Sequence, residues 1–182
     1  LPGAAVDVSV WEHQGPALDC GDDVADLLSE HLDRSCRLVT LSPQHERPTS
    51  IGAGRVGFAD GYPLLLATEQ SMADLNARMP SPLPMNRFRP NLVVAGSSAF
   101  DEDDWLRIEV GDVPMDVVKP CARCAITRVD QSTGVRGDGE PLRTLGTFRK
   151  AKGGVMFGWN VVHRSLGVLR VGDEVRVSAR RS

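Results

Sequence analysis

The chain is poor in aromatic residues, with five Phe, three Trp and one Tyr among 182 residues. It holds no apolar run approaching the roughly 18 residues that a membrane-spanning helix needs. Its N-terminus lacks the charged, apolar and small-residue order of a signal peptide. Four cysteines (Cys20, Cys36, Cys121 and Cys124) are too few and too unevenly spread for a disulfide scaffold, so reduced thiols and a cytoplasmic setting are expected. A net charge of −3 supplies no general field for nucleic acid. Any bound anion must be held by local basic clusters, and Arg87/Arg89 and Lys119/Arg123 are two of them. What the chain does have is a hydrophobic share of 41%, enough over this length for a buried core in one domain or slightly more. It opens at Leu1 on one alternating pattern and closes just after another, so a fragment or processed piece is the expectation.

Val6 to Trp11 alternates apolar and polar residues, which predicts a half-buried strand. Asp22 stands where a helix cap would be. Val24, Leu27, Leu28, His31 and Leu32 then recur at helical spacing, predicting one apolar face laid on the body of the protein. Arg37 to Leu41 reads as a strand, and residues 42–61 as a long loop with little structure of its own. Pro63 to Ala67 reads as a buried strand, Thr68 to Gln70 as a turn, and Ser71 with Asp74 as a capping box opening a helix through about Met79. Strands dominate from Leu92 onward, at Leu92 to Ala95, Leu106 to Val110, Val113 to Val118, Ala125 to Val129, Val155 to Val161, Val168 to Val171 and Glu174 to Val177. A short helix from Pro141 to Arg149 interrupts them. Short strands separated by turns such as Gly111-Asp112 and Gly172-Asp173 predict an α+β chain, predominantly β, built as a closed or nearly closed β-barrel with peripheral helices.

The segment Lys119-Pro-Cys-Ala-Arg-Cys124 carries the most chemistry. As a redox pair its cysteines would sit at a helix N-terminus, yet a strand is predicted after them. As half of a zinc site they would need two further ligands, and only the scattered His13, His31, His45 and His163 are at hand. A third reading makes one thiolate the ligand of a soft metal, with Lys119 and Arg123 attracting an anionic cofactor. Two small buried hydrophobes are an equally good account of the spacing alone.

Met85-Asn-Arg-Phe-Arg-Pro-Asn91 leads into a strand. On an extended segment Arg87 and Arg89 would point the same way, and their planar forks match phosphate. Arg87 taken alone reads as part of a solvated edge. Asp101-Glu-Asp-Asp104 lacks cation-loop spacing and reads as a solvated acidic turn, while Gly52-Ala-Gly54 lacks phosphate-loop context.

An ordered set of motifs carries a family resemblance. It runs through Phe58-Ala-Asp-Gly-Tyr-Pro, Ser71 with Leu75-Asn76, Arg87-Phe-Arg-Pro-Asn91, Glu102-Asp103 with Trp105, and Pro120-Cys-Ala-Arg-Cys124. It continues with Thr127, Asp130 and Gly134, then Glu140-Pro-Leu142, Leu145, Arg149, Phe157-Gly158 and Val171-Gly-Asp173. From about Phe58 onward the chain resembles the MOSC domain, in particular the branch of the mitochondrial amidoxime-reducing component and its bacterial relatives. The resemblance implies a MOSC-type β-barrel over residues 51–182, and over residues 1–50 a strand-helix-strand remnant of an N-terminal MOSC-associated region. It implies the molybdenum cofactor, Mo-molybdopterin, with Cys124 as the protein ligand to molybdenum. Thr68, Glu69, Gln70, Arg89, Asn91, Ala122, Arg123 and Asn160 are implied to contact that cofactor. Two departures stand out: Ala122 replaces a serine found in eukaryotic members, and Asn160 stands where a tyrosine is expected. Family members also carry a Lys-Ser pair and an arginine that close over the phosphate from an N-terminal β-domain, and without them cofactor retention is expected to suffer.

The implied activity is reduction of N-hydroxylated compounds, with the metal taking oxygen from a small-molecule substrate. Electrons would come from an external reductase or ferredoxin-type donor, because the chain has no flavin fingerprint and no cysteine set for an iron-sulfur cluster. The alternative is a cofactor-holding or sulfur-carrier module, as in the C-terminal domain of molybdenum-cofactor sulfurases. Pyridoxal-phosphate binding is attached to the family at large. No nucleic acid and no membrane segment are expected.

Overall fold

A computed structural model describes residues 3–181. The chain forms two compact units, Leu1–Ser50 with Arg55–Gly61, and Ile51–Gly54 with Tyr62–Ser182. In the first, β1 (Ala5–Val10), β2 (His13–Asp19) and β3 (Val39–Leu41) make an antiparallel sheet in that order. Gly15 and Pro16 hide β2 from sequence patterning. Pro16 is tolerated there because β3 pairs only with residues 17–19, so β1 alone flanks the proline. Arg37 and Leu38 do not extend β3, and Arg37 turns instead to Asp19 and Asp22 at 2.5 and 2.8 Å.

Helix α1 (Asp22–Leu32) begins one residue after its N-cap, Gly21, and has no side-chain cap. Asp22 is therefore the first helical residue, and Asp19 accepts the Gly21 amide at 2.7 Å. The expected apolar burial of α1 is also corrected. Ala25 is its one buried residue, while Leu27 is 66% and Leu32 59% exposed. Periodicity marks one face as apolar without fixing what covers it. The stretch 42–61 holds no helix or strand, yet it is organised: buried Arg47 donates to the Gly57 and Ala59 carbonyls at 3.1 and 2.7 Å, and Pro48 bridges Arg55.

The second unit holds β4 (Leu64–Thr68), α2 (Glu69–Arg78), β5 (Leu92–Val94), β6 (Trp105–Val110), β7 (Val113–Ala122), α3 (Leu142–Phe148), β8 (Lys150–Ala151), β9 (Gly154–His163) and β10 (Val175–Arg180). The sheet runs β10-β6-β7-β9-β4-β5, with β8 added beside β9. Its two end strands, β10 and β5, do not pair with each other among the described residues, so the sheet is a curled half-barrel, and the chain is α+β and predominantly β as expected. One core lies under Leu66, Ile108, Met115, Val117, Trp159 and Val161. A second gathers Ala67, Met72, Leu75, Phe88, Leu145 and Phe157, with the Phe88 and Phe157 rings stacked at 4.0 Å. Consecutive residues Leu66 and Ala67 thus serve opposite faces of β4, as strand alternation requires.

Three further expectations are revised. Ala125 to Val129 is not a strand but a 3-10 turn over Ala125–Arg128. Val168 to Val171 joins no strand, because β10 already occupies the edge of β6, and both valines stand exposed. Ser71 is not the helix cap: Thr68 is, accepting the Ser71 amide at 3.1 Å, while Asp74 pairs with Arg78 at 2.6 Å. Glu69 and Gln70 consequently form the first turn of α2 rather than a loop.

Candidate metal-ligand and anion site

Every residue proposed for the site lies in the second unit. Strand β7 pairs with β9 through two register breaks, between Val117 and Lys119 and between Pro120 and Ala122. Such irregularities bend a strand and re-aim its side chains, here where the chain leaves the sheet through Cys121 and Cys124. Cys121 is half-buried and Cys124 exposed, and all four cysteines are free thiols. Cys124 occupies the N-cap position of the 125–128 turn. A short helical turn and not a strand follows the cysteine pair, but a four-residue 3-10 turn aligns few peptide dipoles with which to favour a thiolate. The Cys124 carbonyl accepts from Thr127 N at 3.3 Å and Thr127 Oγ1 at 3.1 Å, so its backbone is fixed while its side chain makes no hydrogen bond among the described residues.

Arg123 is spent locally. Its Nη1 donates to Cys121 Sγ at 2.9 Å and its Nη2 to the Phe88 carbonyl at 2.7 Å. Met85–Phe88 forms a 3-10 turn rather than an extended segment, and Arg89 follows in the left-handed region with φ of 55°. The two arginines therefore diverge. Arg87 is 8% exposed and bonded to Arg128 O at 3.0 Å and Asp130 at 2.8 Å, neither a solvated edge nor half of an anion fork. Arg89 is exposed; its backbone amide donates to Asn86 O at 3.1 Å, while its guanidinium makes no hydrogen bond or ion pair among the described residues.

Asn91 continues the β4 pairing by side chain: Leu65 N donates to its Oδ1 and its own amide donates to Leu65 O, both at 2.9 Å. Leu65 pairs in turn with Asn160, and Asn160 with Lys119, so Asn91, Leu65, Asn160 and Lys119 form one row across the sheet. The Asn160 amide donates to the Lys119 and Pro120 carbonyls at 3.3 and 3.5 Å. Ala122 is exposed and offers only a methyl group. Thr68 is fully buried and faces inward, Glu69 is exposed, and Gln70 buries an Oε1 that has no hydrogen-bond partner among the described residues. No hydrogen bond among the described residues links Glu69 or Gln70 to the Cys124 loop.

The acidic run is not a solvated turn. Asp101 accepts from Trp105 and pairs with Arg180, whose bond holds its carboxyl below the ordinary range. Glu102 is 1% exposed and accepts from Ser71 Oγ at 2.7 Å and Thr68 Oγ1 at 3.1 Å. Burial pushes the Glu102 carboxyl up, against the pull of those hydroxyls. Burial also raises Asp103, but the Arg149 bidentate pair and the Trp159 indole bring it below its usual value. Asp130 is held at about 2, first by the Ser132 hydroxyl and amide, with burial opposing and Thr133 and Arg87 adding to the effect. Sequence reasoning missed these partners, although Ser71, Glu102, Asp103 and Asp130 all stand within the motif set; their role shows only when distant segments meet.

Residues 53–176 match the MOSC domain family. The chain is 39% identical over 183 residues to mitochondrial amidoxime-reducing component 1 of Danio rerio, covering 93% of this chain and 56% of that protein. Its counterpart in Mus musculus is 37% identical, with 86% of this chain and 51% of the relative covered. Molybdenum cofactor sulfurase of Oryza sativa subsp. japonica is 32% identical over 87% of this chain, which matches 22% of that protein. The chain thus spans about half the length of the first two relatives. With a match over most of its length and a sheet, turns and exposed cysteine arranged around the same motifs, the chain belongs to the MOSC domain family.

Proposed function

We propose that the chain binds the molybdenum cofactor, with Cys124 as protein ligand to the metal and Arg89 on the phosphate-bearing end, as the redox domain of a reductase of N-hydroxylated compounds. The observation that carries this reading is the free presentation of Cys124: an exposed thiol on a backbone fixed by Thr127, in the same loop cluster as the exposed guanidinium of Arg89. The donor set suits the group, since a soft thiolate matches molybdenum and a planar fork matches phosphate. Among the described residues no group of three or more His, Cys, Asp or Glu gathers to hold a metal, so a metal here would take most of its ligands from a cofactor. Asn91 and Asn160 bring amide groups to the same sheet row, Gln70 brings an unpaired buried oxygen, and Glu69 and Ala122 line exposed positions. Thr68 acts on the cofactor only by shaping the turn, because its hydroxyl is committed to Ser71 and Glu102. Arg123 likewise acts by holding the loop.

When bound, the molybdenum centre supplies two-electron removal of oxygen from an N–O bond. The residues of this chain bind and orient: Cys124 fixes the metal end, Arg89 the anionic end, and the 85–89 and 123–130 loops hold them in register. An external donor supplies electrons. Among the described residues no helix is long and apolar enough to cross a membrane, and the cytoplasmic setting belongs to this proposal. The test is metal and pterin analysis of protein made in a cofactor-synthesising host. Cys124→Ser should lose molybdenum, and Cys121→Ser should keep it. Equal loss in both, with zinc in the wild type, would replace the reading with a structural metal site. The sulfurase relative favours a second reading, a carrier that holds the cofactor without turnover. Loaded protein that fails to reduce an amidoxime with an artificial donor would support it.

A further inference from the structure

The turns at Met85–Phe88 and Ala125–Arg128 come from distant parts of the sequence, and two arginines join them in opposite directions. From the first turn, Arg87 reaches past Cys124 to Arg128 O at 3.0 Å and Asp130 Oδ2 at 2.8 Å. From the residue before Cys124, Arg123 reaches back to Phe88 O at 2.7 Å. Cys124 lies between these two anchor points. Asp130 is itself immobilised, since its Oδ1 accepts from Ser132 N, Ser132 Oγ and Thr133 N at 2.9, 2.5 and 3.2 Å. Both terminal nitrogens of Arg87 are thus bonded inward, and its side chain is 10% exposed, so it is not placed to meet a ligand. Arg89, two residues on, is.

We infer that Arg87 is a positioning residue for the Cys124 thiol: it clamps the 124–130 loop to the turn that carries Arg89 and so sets the spacing between soft ligand and anion fork. The inference rests on the cofactor reading of the site. It depends on a planar fork serving two acceptors at once, which a lysine ammonium does less well. Thr127, fully buried within the same turn, bonds back to Cys124 O at 3.1 Å, so a local bond remains when Arg87 is replaced.

The test compares full-length Arg87→Met, Arg87→Lys and Asp130→Asn with wild type. In cofactor-free protein, amide hydrogen exchange over residues 124–130 should rise at least tenfold in Arg87→Met and less in Arg87→Lys and Asp130→Asn, with β6 and β7 amides unchanged. In protein from a cofactor-synthesising host, pterin per chain should stay within about twofold of wild type, while X-ray absorption shows one fewer sulfur on molybdenum in Arg87→Met and recovery in Arg87→Lys. A merely structural arginine would lower pterin and thiolate coordination together. Unchanged exchange at 124–130, or a rise spread evenly through the second unit, would overturn the inference. Wild type that takes up neither molybdenum nor pterin, even with the cofactor supplied in excess, would sink the cofactor reading, and exchange alone would then decide whether Arg87 fixes the loop.

Discussion

The guanidinium of Arg123 donates to the Phe88 carbonyl at 2.7 Å and lies over the ring of the same residue, 5.5 Å from its centroid. Phe88 is fully buried against Phe157, so Arg123 fastens the loop before Cys124 to the core of the second unit. Replacing it with Met leaves that carbonyl and Cys121 Sγ without their donor. Arg123→Met should lower unfolding free energy by about 1–3 kcal/mol in urea titrations. A change inside the roughly ±0.5 kcal/mol typical of surface substitutions would show that the bond is solvent-replaced.

Arg89 holds a left-handed conformation, φ 55°, that costs an ordinary side chain about 1–2 kcal/mol. Glycine takes it freely but loses more chain entropy on folding. Arg89→Gly is therefore expected to keep or slightly raise the melting temperature. The same change removes the proposed phosphate fork, and loss of a charged hydrogen bond should weaken pterin retention about ten- to hundredfold. A variant that is less stable and equally loaded contradicts both halves.

Glu102 gives a pH dependence whose sign is fixed. Its folded carboxyl titrates above the ordinary value because burial disfavours the charge. A raised carboxyl favours folding fully below the unfolded value, and that contribution is lost as pH climbs through the folded one. Glu102→Gln carries no such loss, so its stability should gain on wild type as pH rises from about 4.5. Paired urea titrations at acid and neutral pH measure the difference, and a variant that loses stability relative to wild type as pH rises would contradict it.

Gly158 sits in β9 with φ of 72°, and a Cβ there would lie 2.6 Å from the backbone oxygen of Leu66. No rotamer relieves a clash with backbone. Gly158→Ala should cost about 1–3 kcal/mol from strain alone and loosen β4 from β9. Thermal melting and exchange at the Leu64 to Leu66 amides would register it, and wild-type values for both would mean that the strands separate freely.

Much of this architecture is written locally in the sequence. Alternation placed β1, short runs set off by Gly-Asp turns placed β6 and β10, the buried run placed β4, and helical spacing placed α1, because side-chain period and turn chemistry follow directly from backbone geometry. The ordered motifs also identified the family and singled out Cys124 and Arg89. Local pattern failed where a partner from far along the chain decides the outcome. Ala125 to Val129 has strand composition, yet Thr127 bonds back to Cys124 and the segment closes into a 3-10 turn. Arg87 and Arg89 look alike in sequence, but Asp130 and the Arg128 carbonyl claim one and leave the other exposed. Ser71 and Asp74 spell a capping box, but Glu102 takes the Ser71 hydroxyl and Thr68 the cap. The sequence alone determined which side chains are present and the period at which they recur. Only the tertiary structure decided which are committed inside and which remain free, because a buried donor or charge must find its partner wherever the fold brings one.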